Sequence, residues 1–74
     1  MAVHFISKDY KVNCSFPCKN TDIFVKLEDK LYNKYPEYKE LNTYFTVGGN
    51  IVKRFKTMEQ NNIQNSSVIL LNIY

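Results

Sequence analysis

The sequence contains no tryptophan, only two glycines and two prolines, and no long uninterrupted apolar run. So little glycine and proline excludes collagen-like and Gly/Pro-rich low-complexity chains. A hydrophobic fraction of 45% argues against a chain too polar to fold. No run approaches the roughly 18 apolar residues of a membrane span. We therefore expect one domain over residues 1–74, with a small core built largely from its eleven Phe and Tyr side chains.

Cysteine and histidine are equally scarce, being limited to Cys14, Cys18 and His4. These three side chains fall short of the four ligands of a structural zinc site, and the cysteines lack Cys-x-x-Cys spacing. Strand alternation turns Cys14 toward the core and His4 away from it, so no Cys–His nucleophilic pair is expected. The sequence thus predicts no enzyme, no catalytic residue, no metal, no cofactor and no small-molecule substrate.

The beginning of the chain does not resemble a secretion signal. Met1 is followed almost at once by Val3-His4-Phe5-Ile6, without a basic segment and with too short an apolar run. We expect a cytoplasmic or nuclear protein that is not secreted.

The charges nearly balance, with ten basic and seven acidic residues and a net charge of +3. This excess is too small to predict binding to nucleic acid or a membrane. Lys53-Arg54-Phe55-Lys56 is the densest basic stretch, and an aromatic among bases could hold a nucleic-acid backbone. No second cluster extends it, so we expect a solvated rim with Phe55 tucked under the loop.

The first seventeen residues have the pattern of an antiparallel hairpin. Val3–Ile6 and Lys11–Phe16 alternate apolar and polar residues, and Pro17 ends the second strand because it cannot donate to the sheet. One apolar face and one mostly polar face predict that the hairpin covers a core on one side. The inward residues are Val3, Phe5, Val12, Cys14 and Phe16.

A helix of about fourteen residues should follow. Thr21 or Asp22 is suited to cap its beginning, and Pro36 ends it. Glu28 falls among the charged residues expected on the wet side. The apolar stripe has spacings of three, four and four, through Phe24, Leu27, Leu31 and Tyr35.

Three further strands complete the predicted sheet. Tyr44–Val47 and Ile51–Val52 flank a tight Gly48-Gly49 turn, and Val68–Ile73, the most apolar strand, should lie in the middle. The fold class is therefore α+β, with a mixed sheet of four to five strands on one α-helix. The residues expected to face inward from the last strand and to anchor the connecting segments are Ile69, Leu71 and Ile73, then Tyr38, Leu41, Met58 and Ile63.

The outward face of the sheet is the candidate partner-binding surface. Its half-apolar character across three strands is typical of a contact surface, although isolated exposed apolar residues are common on any protein. The candidate residues are Ile6, Tyr44, Thr46, Leu70 and Asn72, with Val68 beside them.

The order of elements, with a helix near residues 23–35, resembles the β-grasp fold of ubiquitin-like domains. Asn62-Ile63-Gln64, followed after two residues by Ser67 and the closing strand, is similar to the Asn-Ile-Gln-x-x-Ser before ubiquitin's own last strand. The spacing from Val52 through Thr57-Met58 to Ile63 also fits without a gap. The resemblance implies a single ubiquitin-like domain over residues 1–74.

Two departures from the ubiquitin pattern bear on function. Ubiquitin-type modifiers carry a terminal Gly-Gly that is activated as an acyl donor, whereas this chain reads Asn72-Ile73-Tyr74. By the same spacing, the isoleucine, histidine and valine of ubiquitin's recognition patch correspond to Thr46, Leu70 and Asn72. The resemblance therefore implies a binding module built into a larger protein, with partners other than ubiquitin's receptors.

We expect a non-catalytic module for protein–protein interaction or intramolecular docking, bound to a protein partner or a neighbouring domain of the same chain. Two alternatives stay open. The chain is the body of a modifier precursor if Gly-Gly follows Tyr74 in the full gene. It is a β-grasp domain of the Ras-association kind if GTP-loaded small GTPases bind the exposed edge of its second strand and the lysines there.

Overall fold

Five β-strands and one α-helix form the chain, and the computed structural model describes all of its residues, 1–74. Two single-turn 3₁₀ helices, at Pro36–Tyr38 and Glu59–Asn61, lie in the connections. The strands and the helix in chain order are β1 (Ala2–Ser7), β2 (Asn13–Pro17), α1 (Phe24–Lys34), β3 (Thr43–Val47), β4 (Asn50–Ile51) and β5 (Val68–Ile73).

The five strands form one mixed sheet in the order β2-β1-β5-β3-β4. The central pair, β1 and β5, is parallel, and the other neighbours are antiparallel. The prediction that the most apolar strand lies in the middle is confirmed, because β5 is the third of the five strands across the sheet. The α+β class, with one helix on a mixed sheet, is likewise confirmed.

The helix packs on one face of this sheet around a cluster of phenylalanine rings. Phe5 of β1, Phe24 of α1 and Phe45 of β3 have ring centroids 5.2–6.1 Å apart, and Phe16 packs against Phe5 at 5.9 Å. Most of the inward positions predicted from alternation are buried, including Val3, Val12, Cys14, Ile69 and Leu71, whereas Phe16 is half-buried.

Two of the predicted inward or anchoring side chains are instead exposed. Ile73 is 54% exposed and Leu41 is 45% exposed. Ile73 pairs with Thr43 at the very end of the sheet, beyond the last residue of β5 that pairs with β1, namely Leu71. Alternation still gives the direction of the Ile73 side chain. The residue lies, however, beyond the part of β5 that has a strand on both sides.

The helix begins in a different way from the one predicted. Neither Thr21 nor Asp22 caps it, because α1 starts at Phe24 and its N-terminal residue makes no side-chain capping hydrogen bond. The amides of Phe24 and Val25 donate instead to backbone carbonyls at 3.0 and 2.9 Å. These carbonyls belong to Lys56 and Arg54, respectively. The first amides of any helix have no carbonyl partner within the helix. The loop after β4 supplies acceptors for two of them.

The turn between β3 and β4 requires its glycines. Val47 pairs with Asn50, so the loop has two residues, Gly48 and Gly49, with φ of 56° and 83°. Positive φ at both positions gives the turn whose twist matches a hairpin. The prediction of a tight turn here is confirmed.

Gly49→Ala should destabilise the chain by about 1–2 kcal/mol, because a Cβ disfavours the left-handed backbone. Apart from the adjacent residues, no atom lies within 4 Å of the added Cβ. The loss therefore comes from the local backbone conformation and not from a clash with another part of the chain. Urea unfolding followed by circular dichroism measures it. Gly48→Asn is the control, since asparagine tolerates this conformation. A loss in Gly48→Asn as large as in Gly49→Ala would contradict the explanation.

Candidate functional site

The predicted surface residues lie together on the sheet face opposite α1. Ile6 of β1 pairs with Leu70 of β5, Leu70 pairs with Thr46 of β3, and Thr46 pairs with Ile51 of β4. Asn13 of β2 pairs with Ile6 at the other end. Directly paired residues point to the same side of a sheet. One row of side chains thus crosses all five strands, and we call this side the outer face.

Exposure on the outer face is uneven. Ile6, Thr46 and Leu70 are half-buried, whereas Val68 is 55% and Ile51 is 65% exposed. Ile51 was not among the predicted surface residues. Its place follows from the two-residue turn, which puts it opposite Thr46, so the Gly-Gly register could have revealed it.

Asn72 lies on the outer face, as predicted, but its side chain is only 7% exposed. Its Nδ2 donates to Thr46 Oγ1 and to the Leu70 carbonyl, both at 3.2 Å. The amide therefore links β5 to β3 and holds the Thr46 hydroxyl. Its role in the free chain is to organise the face, and little of it is open to a partner.

Tyr44 extends the outer face toward the end of the sheet. It pairs with Asn72, and its half-buried ring lies 4.6 Å from that of Tyr74, measured between centroids. Tyr74 is 82% exposed, and its amide donates to the Asn42 carbonyl at 3.0 Å. The two rings form an aromatic border to the apolar centre.

The basic stretch Lys53–Lys56 does not act as one patch. Arg54 turns inward, where its Nε lies 3.0 Å from Glu28 Oε1 and its Nη2 donates to the Thr43 carbonyl at 2.6 Å. Phe55, expected under the loop, is 80% exposed, so that prediction was wrong. The tight turn in which Lys56 N donates to the Lys53 carbonyl leaves it outside.

Glu28 was expected on the wet side of the helix, and it is buried at 5% exposure. Besides the charge of Arg54, its carboxylate accepts a hydrogen bond from the Tyr32 hydroxyl at 2.7 Å. That hydroxyl also lies 2.6 Å from Thr43 Oγ1. Burial raises the pKa of Tyr32, and the bond to Glu28 acts in the same direction. This polar cluster fastens α1 to β3.

The two cysteines are buried, whereas the histidine lies on the outer face. Cys14 and Cys18 are buried free thiols, and burial raises the pKa of both. A raised pKa keeps a thiol protonated and poorly nucleophilic. His4 Nδ1 lies 2.9 Å from Ser15 Oγ on the outer face. No group of three His, Cys, Asp or Glu residues is arranged to hold a metal ion.

None of the residues that strand pairing places on the outer face is acidic. None of the helices is long and apolar enough to span a membrane. A scan against protein-family models and a search of curated proteins both found no match. The geometry of the outer face is accordingly what supports a functional interpretation.

Proposed function

We propose that the chain is a ubiquitin-like β-grasp domain that acts as a non-catalytic binding module. Its partner would be a protein, or a neighbouring domain if the module is part of a larger polypeptide. The order of strands and helix supports the resemblance drawn from the sequence. So does the burial of Ile63, at 2% exposure, within the Asn62-Ile63-Gln64 match.

The row Ile6–Leu70–Thr46–Ile51 is the observation that carries the proposal. Three of its four side chains are aliphatic, they come from four adjacent strands, and the helix lies on the other side. Scattered apolar residues are ordinary on protein surfaces. Apolar side chains that are contiguous across a sheet, and not scattered, favour a contact site.

Binding would bury Leu70 and Ile6 at the centre of the contact. Polar side chains around them, such as Asn13, Ser15 and His4, would form a rim that orients the partner by hydrogen bonds. An apolar centre with a polar rim is the usual anatomy of a protein interface. Because Thr46 and Asn72 are already bonded to each other, this part of the face is preorganised.

Leu70→Asp should weaken binding at least tenfold, because it places a charge at the centre of the buried contact. Wild-type and variant chains, immobilised at equal density, would be used to capture partners, and each purified partner would then be titrated by calorimetry. Circular dichroism establishes that the variant is folded.

Asn33→Asp is the matched control. It adds the same charge at an exposed position of α1, on the other side of the molecule, and should bind as the wild type does. Equal affinity of folded Leu70→Asp and wild type would remove the outer face from consideration.

A further inference from the structure

The sheet has a gap beside the end of β5. The last pair between β1 and β5 is Ser7 with Leu71, yet β5 continues to Ile73, which pairs with Thr43 of β3. Beyond Leu71, β5 thus has a neighbour on one side only. Strands with an unpaired side are templates for pairing with another chain.

The backbone groups at this gap can be identified. His4 N donates to the Ser67 carbonyl, and Tyr74 N donates to the Asn42 carbonyl. Successive peptide groups of a strand point to opposite edges, so odd-numbered residues of β5 face β1 and even-numbered ones face β3. The Leu71 carbonyl and the Ile73 amide therefore point into the gap.

Lys8 is the residue that would bond these two groups if β1 continued. The chain turns away instead, with Tyr10 N donating to the Ser7 carbonyl at 3.0 Å, and the Lys8 amide makes no backbone hydrogen bond. The Leu71 carbonyl and the Ile73 amide are thus left without a partner from β1. Their spacing lets a single residue of a parallel strand form hydrogen bonds with both. Buried backbone groups without a partner are costly, so anything that closes the gap must satisfy them.

A cavity of about 200 Å³ opens at this place. A cavity of roughly 150 Å³ lined by apolar side chains suffices for a benzene ring, so one bulky apolar side chain would fit. Four of the eight lining residues are apolar or aromatic, and the other four are polar or charged. The lining residues are Ser7, Lys8, Asp9, Tyr38, Tyr44, Leu71, Asn72 and Ile73.

The charge at the rim favours an acidic partner. Lys8 and Lys11 are exposed, whereas the Asp9 carboxylate accepts hydrogen bonds from the Ser7 hydroxyl at 2.6 Å and the Lys11 amide at 3.1 Å. These bonds, that of Ser7 foremost, lower the pKa of Asp9 and hold its charge within the turn. Lys8 is the one basic side chain that lines the cavity, and the lining carboxylate of Asp9 is already engaged, so an acidic group of the partner would pair with Lys8.

We propose that the cavity receives a short extended peptide segment of the partner. Its bulky apolar side chain would fill the cavity between Tyr44 and Ile73. Its backbone would continue the ladder of β1 at the Leu71 carbonyl and the Ile73 amide, and an acidic residue would lie beside Lys8. The inference rests on the proposed function, because Tyr44 and Asn72 belong to the same outer face, and it names the class of partner.

The minimal probe is N-acetyl-phenylalanine N′-methylamide, whose phenylalanine residue carries one apolar side chain, one N–H to donate to the Leu71 carbonyl and one carbonyl to accept from the Ile73 amide. Titrated into the ¹⁵N-labelled chain, it should shift the amide resonances of Lys8, Asn72 and Ile73 together. The analogue methylated on the phenylalanine nitrogen cannot donate to the Leu71 carbonyl and should bind at least fivefold more weakly.

Charge preference is tested with two longer probes that place aspartate or lysine before the phenylalanine. The aspartate probe should bind at least threefold more tightly, and Lys8→Glu should reverse that order. Ile73→Asp, at the cavity wall, should abolish probe binding. The control Phe55→Asp, at an exposed position in the loop after β4, should leave it unchanged.

Three results would each overturn the inference: no shift at Asn72 and Ile73, equal affinity of the N-methylated probe, or unchanged binding to Ile73→Asp. The wild-type titration needs no variant to fold, so it is decisive alone. Failure of this test is distinct from failure of the proposed function, which is measured with Leu70→Asp at the centre of the outer face.

Discussion

Phe5→Ala is expected to remove about 3–5 kcal/mol of folding free energy, the usual loss on deleting a fully buried aromatic ring. Phe5 is 0% exposed and meets three other phenylalanine rings within 5.7–6.1 Å, two of them edge-on. A domain of this size is stable by roughly 4–11 kcal/mol in total. The variant should therefore lose a large fraction of the stability of the chain.

Urea unfolding monitored by circular dichroism measures the loss, and ligand-free chains suffice. Phe55→Ala is the matched control, because the same substitution at 80% exposure should change the free energy of unfolding by less than about 0.5 kcal/mol. Similar losses in both variants would mean that the ring cluster is not the centre of the core.

Arg54→Met should produce the second largest effect, a loss of about 2–3 kcal/mol. Removing one partner of a buried ion pair costs about 3–5 kcal/mol because the other charge is left uncompensated. Here Arg54 is 39% exposed, and Tyr32 still donates to the Glu28 carboxylate, so the expected loss lies at or below the lower end of that range. Chemical denaturation at pH 7 measures the change.

The double variant Glu28→Met/Arg54→Met separates lost charge pairing from lost packing. Without a buried carboxylate to compensate, it should be more stable than Arg54→Met alone, as apolar replacement of a buried pair often is. A double variant as unstable as the sum of the two single variants would show no coupling between the residues. That outcome would contradict the role given to the ion pair.

Local alternation was sufficient to predict most of the fold. Phe5, Phe45 and Ile69 follow the period of two, and Phe24, Leu27 and Leu31 follow the helical period, so their burial could be inferred from neighbours a few residues away. The outward direction of Ile6, Thr46 and Leu70 came from the same rule. Whether these side chains bind a partner remains a prediction.

Most of the failures share a cause, which is contact with residues distant in the sequence. Glu28 looked like any exposed helical charge, since its partner Arg54 lies beyond two further strands. The carbonyls that cap α1 come from the same distant loop. Ile73 has the right parity for burial, but where β1 leaves the sheet depends on tertiary pairing. No local pattern reports these things.

The parallel pairing of β1 with β5 has a consequence for how the chain folds during synthesis. The Ala2 amide donates to Asn65 Oδ1, 63 positions along the chain, and β1 pairs with β5, so the centre of the sheet joins its first strand to its last. Loop-closure entropy must be overcome before such distant contacts stabilise anything. On a ribosome, β1 and β2 would wait as an incomplete hairpin until β5 had emerged from the exit tunnel. The core would then close in one late, cooperative step.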